Sequence, residues 1–231
     1  MIKLLTDIFK KAVFTNRCSV CGEVIEFNEF LCEDCKNAVR IEPPICLKCG
    51  CEKAECICKK SKKSPEYKAV VAPFYYQDSV SKAVLNMKMN GMPTLANEQG
   101  RLISDCVFKY YELVEFDCVT YIPMRKYDEK FRGFNQAELL AESVCQNCNF
   151  NFSDLLIKKR KTKVQKRQKS SERFVNMYNA FDLKDGADVD GKTILLIDDV
   201  KTTGATLSSA AMTLKAYGAK DVYCAVFAIV K

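Results

Sequence analysis

The chain has 231 residues, 48% of them hydrophobic, which suits one large or two small globular units. Its 36 basic and 29 acidic residues leave a formal charge of +7, which points to phosphate-bearing partners. With no histidine among its residues it has no hydrolase triad built on a histidine base, and with no run of about 18 apolar residues it has no membrane-spanning helix.

The first segment, "MIKLLTDIFKKAVF", carries Asp7 and Lys10-Lys11 and is too charged for a signal peptide. It reads as a short amphipathic helix with Leu5, Ile8, Phe9 and Ala12 on one face. Fourteen cysteines without an export signal are expected as thiols in a cytoplasmic protein, not as disulfides.

Cysteines then dominate. Cys18 and Cys21 form one C-x-x-C, Cys32 and Cys35 a second, Cys46 and Cys49 a third, and Cys56 and Cys58 close the set as C-x-C. A tight knuckle of this kind lets two thiolates reach one tetrahedral metal, and two knuckles complete a four-cysteine site. Site one is therefore Cys18, Cys21, Cys32 and Cys35, and site two is Cys46, Cys49, Cys56 and Cys58. Cys51 competes with Cys56 for the second site. Zinc is the expected metal, with metal-free thiols and an iron–sulfur cluster as the alternatives. Two zinc ions, each carrying about −2 with its four thiolates, would lower the charge to about +3. Gly22 and Gly50 follow knuckles, where the backbone turns its amides toward sulfur. A segment this short has little apolar core of its own, so metal is expected to supply its fold. Residues 1–60 are accordingly set apart as a zinc-ribbon-like domain, and a ribbon held by metal is expected to unfold without the rest.

The stretch "KKSKKSPEY", 59–67, is a basic linker. Residues 61–231 alternate strand and helix. Strands are expected at 67–76, 117–123, 192–198 and 221–230, with helices at 79–89, 94–113, 135–148 and 204–218. Leu95, Leu102, Ile103, Cys106 and Val107 form the buried side of the second helix, and Cys118 and Cys224 also fall in apolar patterns. A strand–helix–strand order implies right-handed crossovers and a parallel sheet with helices on both faces, an α/β fold.

Ligands in such sheets bind beyond the carboxyl ends of the strands. The strand "TILLID" ends there in Asp198 and Asp199, followed by Thr202, Thr203, Gly204, Ala205 and Thr206. Amides at a helix N-terminus beside threonine hydroxyls hold phosphate, and the glycine permits close approach. The two acids would repel a bare phosphate. They make sense as acceptors for vicinal hydroxyls, and a ribose 5-phosphate offers both groups.

The stretch "LLIDDVKTTGAT" resembles the phosphoribosyl pyrophosphate motif of type I phosphoribosyltransferases. The resemblance implies that the paired acids grip the ribose 2- and 3-hydroxyls and that Thr202–Thr206 holds the 5-phosphate. "IPMRKYDEKFRGFNQAELLA", from Ile122, resembles the "P-V-P…R-G-F-N-Q-A" signature of the ComF (ComFC) competence-protein family. Thr162, Gln165, Arg173, Asn176, Ala180 and Phe181 match that family's T-x-x-Q…R-x-x-N…A-F segment, and the cysteine-rich start matches as well. Tyr127, Asp128 and Glu129 interrupt a loop that is more basic in the family, Gln168 stands where leucine is usual, and the C-x-C is a departure.

Membership implies a phosphoribosyltransferase-like domain that binds phosphoribosyl pyrophosphate with Mg²⁺, or a nucleotide. Arg132 and Lys126 are then expected to share the pyrophosphate charge. It also implies a role in DNA uptake during transformation, with helicase or recombination partners. An active transferase would transfer the pentosyl group with loss of pyrophosphate, to an acceptor that no segment identifies. A third reading is a single-stranded nucleic-acid binder that uses the basic runs 59–63 and 158–169, with Tyr75 or Tyr76 as stacking partners. Phe131 and Phe134 are expected as anchors in the core or a loop.

Overall fold

The structure is a computed structural model that describes residues 16–26, 28–56, 58, 64–159 and 180–231. The expected N-terminal helix, the linker lysines 59–63 and the motif residues Thr162, Gln165, Gln168, Arg173 and Asn176 lie outside the described residues.

The cysteine-rich part begins with a small hairpin, β1 (Asn16–Arg17) against β2 (Val24–Ile25), followed by the one-turn helix α1 (Glu33–Lys36). Gly22 and Gly50 have φ of 78° and 81°, the left-handed backbone expected after a knuckle.

The rest is a parallel sheet. It contains β3 (Ala69–Val71), β4 (Phe74–Tyr75), β5 (Cys118–Tyr121), β8 (Thr193–Lys201) and β9 (Asp221–Ile229). The order is β3-β9-β8-β5, and β4 continues alongside β9 beyond β3. The single strand expected at 67–76 is thus broken between Val71 and Phe74, at Pro73, which has no N–H to give to a ladder. Every residue of Ile194–Ile197 is buried, as is every residue of Cys224–Ile229, the pattern of strands covered on both faces.

Two long helices, α2 (Asp78–Met89) and α3 (Leu95–Tyr111), join β4 to β5. The short α4 (Lys126–Arg132) and then α5 (Gln136–Cys148) follow β5. The sequence pattern suggests a loop over 126–132, and the structure has a helix there. Acids in the first turn and bases in the last suit the helix dipole, and Gly133 at φ 86° stops the helix. No residue of α4 is buried, and Phe131 is 89% exposed, so it is not the anchor the sequence suggested. Phe134 does pack against the core. An antiparallel pair, β6 (Leu156–Lys158) and β7 (Phe181–Leu183), stands off the main sheet. The last crossover, α6 (Ala205–Ala216), links β8 to β9.

The direction of winding locates a crevice. After α5 the chain returns beside β5, where Phe152 bridges Val119 in parallel and Ser153 N donates to Val119 O at 2.9 Å. The crossover from β8 through α6 runs the other way, to β9. Right-handed crossovers in opposite directions put α5 and α6 on opposite faces. The order reverses between β5 and β8, the switch point at which doubly wound sheets bind ligands.

The ribbon part packs onto this body. Val70 N donates to Leu47 O at 2.8 Å, so the loop between Cys46 and Cys49 lies along the edge strand β3. Ile41 N donates to Pro73 O at 3.0 Å. Cys18, Val20, Cys21, Cys35, Ile41 and Ile45 belong to the same buried cluster as the sheet.

Candidate functional site

Strand β8 outruns its neighbour. Register with β5 ends at Tyr121 opposite Ile197, while pairing with β9 continues to Lys201 opposite Ile229. From Asp198 onward the side of β8 that faced β5 is therefore open, three residues further than the sequence pattern suggested. Asp198 and Asp199 sit half-buried on this open edge. Their carboxylates turn back on the chain: Asp198 Oδ1 accepts from Asp199 N at 2.9 Å, and Asp199 Oδ1 accepts from Val200 N at 2.7 Å. Burial, and next the negative charge of Asp199, push the Asp198 carboxyl well above the ordinary range, and nearby Lys158 only partly offsets this. A cation or hydroxyl donors beside Asp198 would offset this cost.

Beyond the acids, Thr202 and Thr203 are exposed. Gly204 has φ 79° and caps α6. Thr203 Oγ1 accepts from Ala205 N at 3.3 Å. Ala205 and Thr206 are exposed and open the helix, so its first turn offers the positive end of the helix dipole at the surface.

The other wall of the crevice follows β5. Lys126 is exposed at the start of α4, and Arg132 ends it, donating from Nη1 to Gln136 Oε1 at 2.5 Å. Asn135 caps α5 by accepting from Ala137 N at 3.0 Å and donates from Nδ2 to Ile122 O at 3.1 Å. This explains "R-G-F-N-Q" locally: arginine, a left-handed glycine, an N-cap and a buried glutamine fix the loop end to the strand end. Gln136 Nε2 is buried with no hydrogen-bond partner among the described residues. Lys126 and Arg132 lie past the same sheet end as the acids, but among the described residues no hydrogen bond or ion pair joins them. Lys158, on β6, opens the basic run that the sequence singled out and lies near the acids, whereas Tyr67, whose hydroxyl meets the Gly204 turn, escapes sequence reasoning. Tyr67 carries no local sequence signal for this role, because it arrives from a distant segment.

The cysteines gather as two groups. The sulfurs of Cys18, Cys21, Cys32 and Cys35 lie within 4.8 Å of one another, as do those of Cys46, Cys49, Cys56 and Cys58. Cys21–Cys32, Cys46–Cys58 and Cys49–Cys56 are 3.6, 3.9 and 3.7 Å apart. Four thiolates about 2.3 Å from a tetrahedral zinc would be about 3.8 Å from each other, so both groups fit that ion. Cys51 is in neither group. Cys118 and Cys224 are buried and Cys106 packs against the core, as expected. Tyr75 is 1% exposed, with Lys231 Nζ 4.3 Å from its ring centre, so it offers no free face to a base. No helix among the described residues is long and apolar enough to cross a membrane.

The Phosphoribosyl transferase domain family matches residues 132–230, and the Double zinc ribbon domain family matches residues 9–64. The "Competence protein ComFC" of Streptococcus pneumoniae is 31% identical over 206 residues, which cover 89% of this chain and 84% of that protein. The chain belongs to the ComF family. Another relative of this ComF protein, the "DNA utilization protein YhgH" of Escherichia coli K12, is 26% identical over 83% of this chain and 87% of its own length. Among solved structures, the glutamine phosphoribosylpyrophosphate amidotransferase of B. subtilis complexed with ADP and GMP has a TM-score of 0.42. It is 19% identical and covers 57% of this chain and 25% of that one. This ComF protein therefore has a phosphoribosyltransferase-type α/β domain and a double zinc ribbon with two four-cysteine groups suited to zinc.

Proposed function

We propose that this ComF protein binds a 5-phosphorylated ribose, as phosphoribosyl pyrophosphate or a nucleotide, and acts inside the cell on incoming DNA. The carrying observation is the overrun of β8: Asp198 and Asp199 lie on an open strand edge directly before the exposed N-terminal turn of α6. In this reading the acids accept from the ribose hydroxyls, and the Thr202–Thr206 segment holds the 5-phosphate. Lys126 and Arg132 face the pyrophosphate end. Mg²⁺ bound with the pyrophosphate would supply countercharge there, and the half-buried carboxylates of Asp198 and Asp199 in the same crevice are oxygen donors of the kind that suits this ion.

The DNA role is supported by the names of two relatives, a competence protein and a DNA utilization protein. The zinc ribbons serve as structure in this reading. DNA itself, a helicase or a recombination protein is the downstream partner. Titration calorimetry with phosphoribosyl pyrophosphate and Mg²⁺, with a nucleoside monophosphate and with inorganic phosphate tests the site. Replacing Asp198 and Asp199 together by asparagine should weaken both ribose ligands far more than phosphate. Equal losses for all three would remove the acids from the ribose.

A further inference from the structure

The second cysteine group and the Thr202–Thr206 segment touch by two routes. Lys48 lies inside the knuckle between Cys46 and Cys49, and its carbonyl accepts from the Tyr67 hydroxyl at 3.3 Å. The same hydroxyl lies 3.0 Å from the place a Cβ would occupy on Gly204. The second route starts at Gly50, just past that knuckle, where a Cβ would collide with Ile229 Cδ1. Ile229 is in register with Lys201, and Lys201 Cε lies 3.2 Å from the Gly204 Cβ position. Gly204 is thus held between Tyr67 and Lys201, both buried and both backed by the ribbon. Glu66 N, next to Tyr67, also donates to Ser208 Oγ in the first turn of α6 at 3.0 Å.

We infer that Tyr67 is a positioning residue through which the second cysteine group sets the shape of the phosphate-binding turn. The inference rests on the reading of Thr202–Thr206 as a phosphate site and adds a control over it. Gly204 has a left-handed backbone, which glycine adopts without strain, and Tyr67 and Lys201 border it. The turn aims the amides of Ala205 and Thr206, and a phosphate site is only as good as the aim of its amides. When the second group loses its metal, the knuckle slackens, Lys48 moves, and the Tyr67 hydroxyl loses its support. Ligand affinity then becomes sensitive to thiol oxidation or metal loss at a site that never touches the ligand. Among the described residues the first cysteine group shows no such route: Asn86 and Gln99 tie it to α2 and α3.

Hydrogen exchange of the full-length, zinc-loaded chain, read on a peptide spanning 203–210, whose Ser208 amide donates to Gly204 O at 2.9 Å, tests the link without any ligand. Tyr67→Phe removes only the atom that meets Lys48 and Gly204. Its exchange in that peptide should quicken about fivefold, with zinc content unchanged. Cys58→Ser should quicken it more, while Cys18→Ser should leave it as in the wild type. Wild-type exchange in Tyr67→Phe overturns the inference even if Cys58→Ser fails to fold. Calorimetry with ribose 5-phosphate forms the second arm, with an expected loss of about fivefold in Tyr67→Phe, ~1 kcal/mol. If the wild type binds no ribose 5-phosphate, the reading of the turn as a phosphate site fails, and the exchange result still decides whether the ribbon sets its shape.

Discussion

The side-chain amide of Asn86 donates to the backbone carbonyl of Cys21 at 2.6 Å, across 65 residues of sequence. Gln99 Nε2 makes a buried counterpart to Val20 O at 3.0 Å. The first knuckle is therefore hydrogen-bonded to both α2 and α3. Sequence alone suggests a metal-held ribbon that melts by itself, but these bonds and the shared buried cluster argue for one cooperative unit. Cys35→Ser should lower the melting temperature of the whole chain in a single calorimetric transition. Gln99→Ala, which leaves Val20 O unsatisfied in the core, should cost about 1–3 kcal/mol in a denaturant titration. Two separate transitions in Cys35→Ser would restore the independent ribbon.

The second group makes a sharper prediction about metal. By spacing Cys51 competes with Cys56, but only Cys56 lies within reach of Cys46, Cys49 and Cys58. Metal analysis should find two zinc ions per wild-type chain, two in Cys51→Ser and one in Cys56→Ser. One zinc in Cys51→Ser would exchange the two roles.

Asp198 couples stability to function. Its folded-state pKa is raised, first by burial and then by Asp199. A raised acid pKa means that the folded state binds the extra proton, so ligand-free stability falls as pH rises from the ordinary aspartate range through the folded value. Asp198→Asn removes the desolvated charge. The variant should melt higher than the wild type at pH 7 without ligand, and its lead should shrink as pH falls from the raised folded value toward the ordinary aspartate range, below which none of it remains. It should also bind ribose phosphates more weakly, a trade expected where a site is strained for function. A melting point below the wild type at pH 7 would mean that the carboxylate stabilises the empty fold.

Much of this is readable from residue order because the signals are local. The run from Thr193 to Ile197 is apolar and partly β-branched, and the acids and glycine that follow mark its carboxyl end. Three C-x-x-C pairs and one C-x-C mark both cysteine groups, although spacing leaves the choice between Cys51 and Cys56 open. What escapes is set by partners far away in sequence. Pro73 splits a strand that composition makes continuous, and β8 runs on to Lys201 because β9 continues beside it. Helix α4 forms from residues that look like a charged loop, since nothing in "KYDEKFR" has to be buried. Tyr75 looks like a stacking surface until β9 and Lys231 cover it. The contact of Tyr67 with Gly204 joins segments 137 positions apart by their numbering, and no spacing rule reaches that far.

A DNA contact, finally, can be divided into charge and stacking. Helix α4 presents Tyr127 at 80% exposure and Phe131 at 89%, four residues apart and so on one face of the helix. With Tyr75 buried and Tyr76 half-buried, stacking on unpaired bases is expected at this pair instead. The charge comes from Lys158 beside the site and from Lys59, Lys60, Lys62 and Lys63, which lie outside the described residues. Single-stranded DNA should bind weakly at low salt, with little base preference. Replacing Tyr127 and Phe131 by alanine should cost about 1–3 kcal/mol per stacked base and leave the salt slope unchanged, because stacking releases no counterions. Neutralising the four linker lysines should flatten the slope by about 0.7 for each phosphate that a lysine no longer neutralises. Fluorescence anisotropy over a salt series measures both effects. A slope unmoved by the lysine changes would confine those charges to solubility. If the wild type forms no complex at micromolar protein, the role in DNA uptake would have to run through a protein partner.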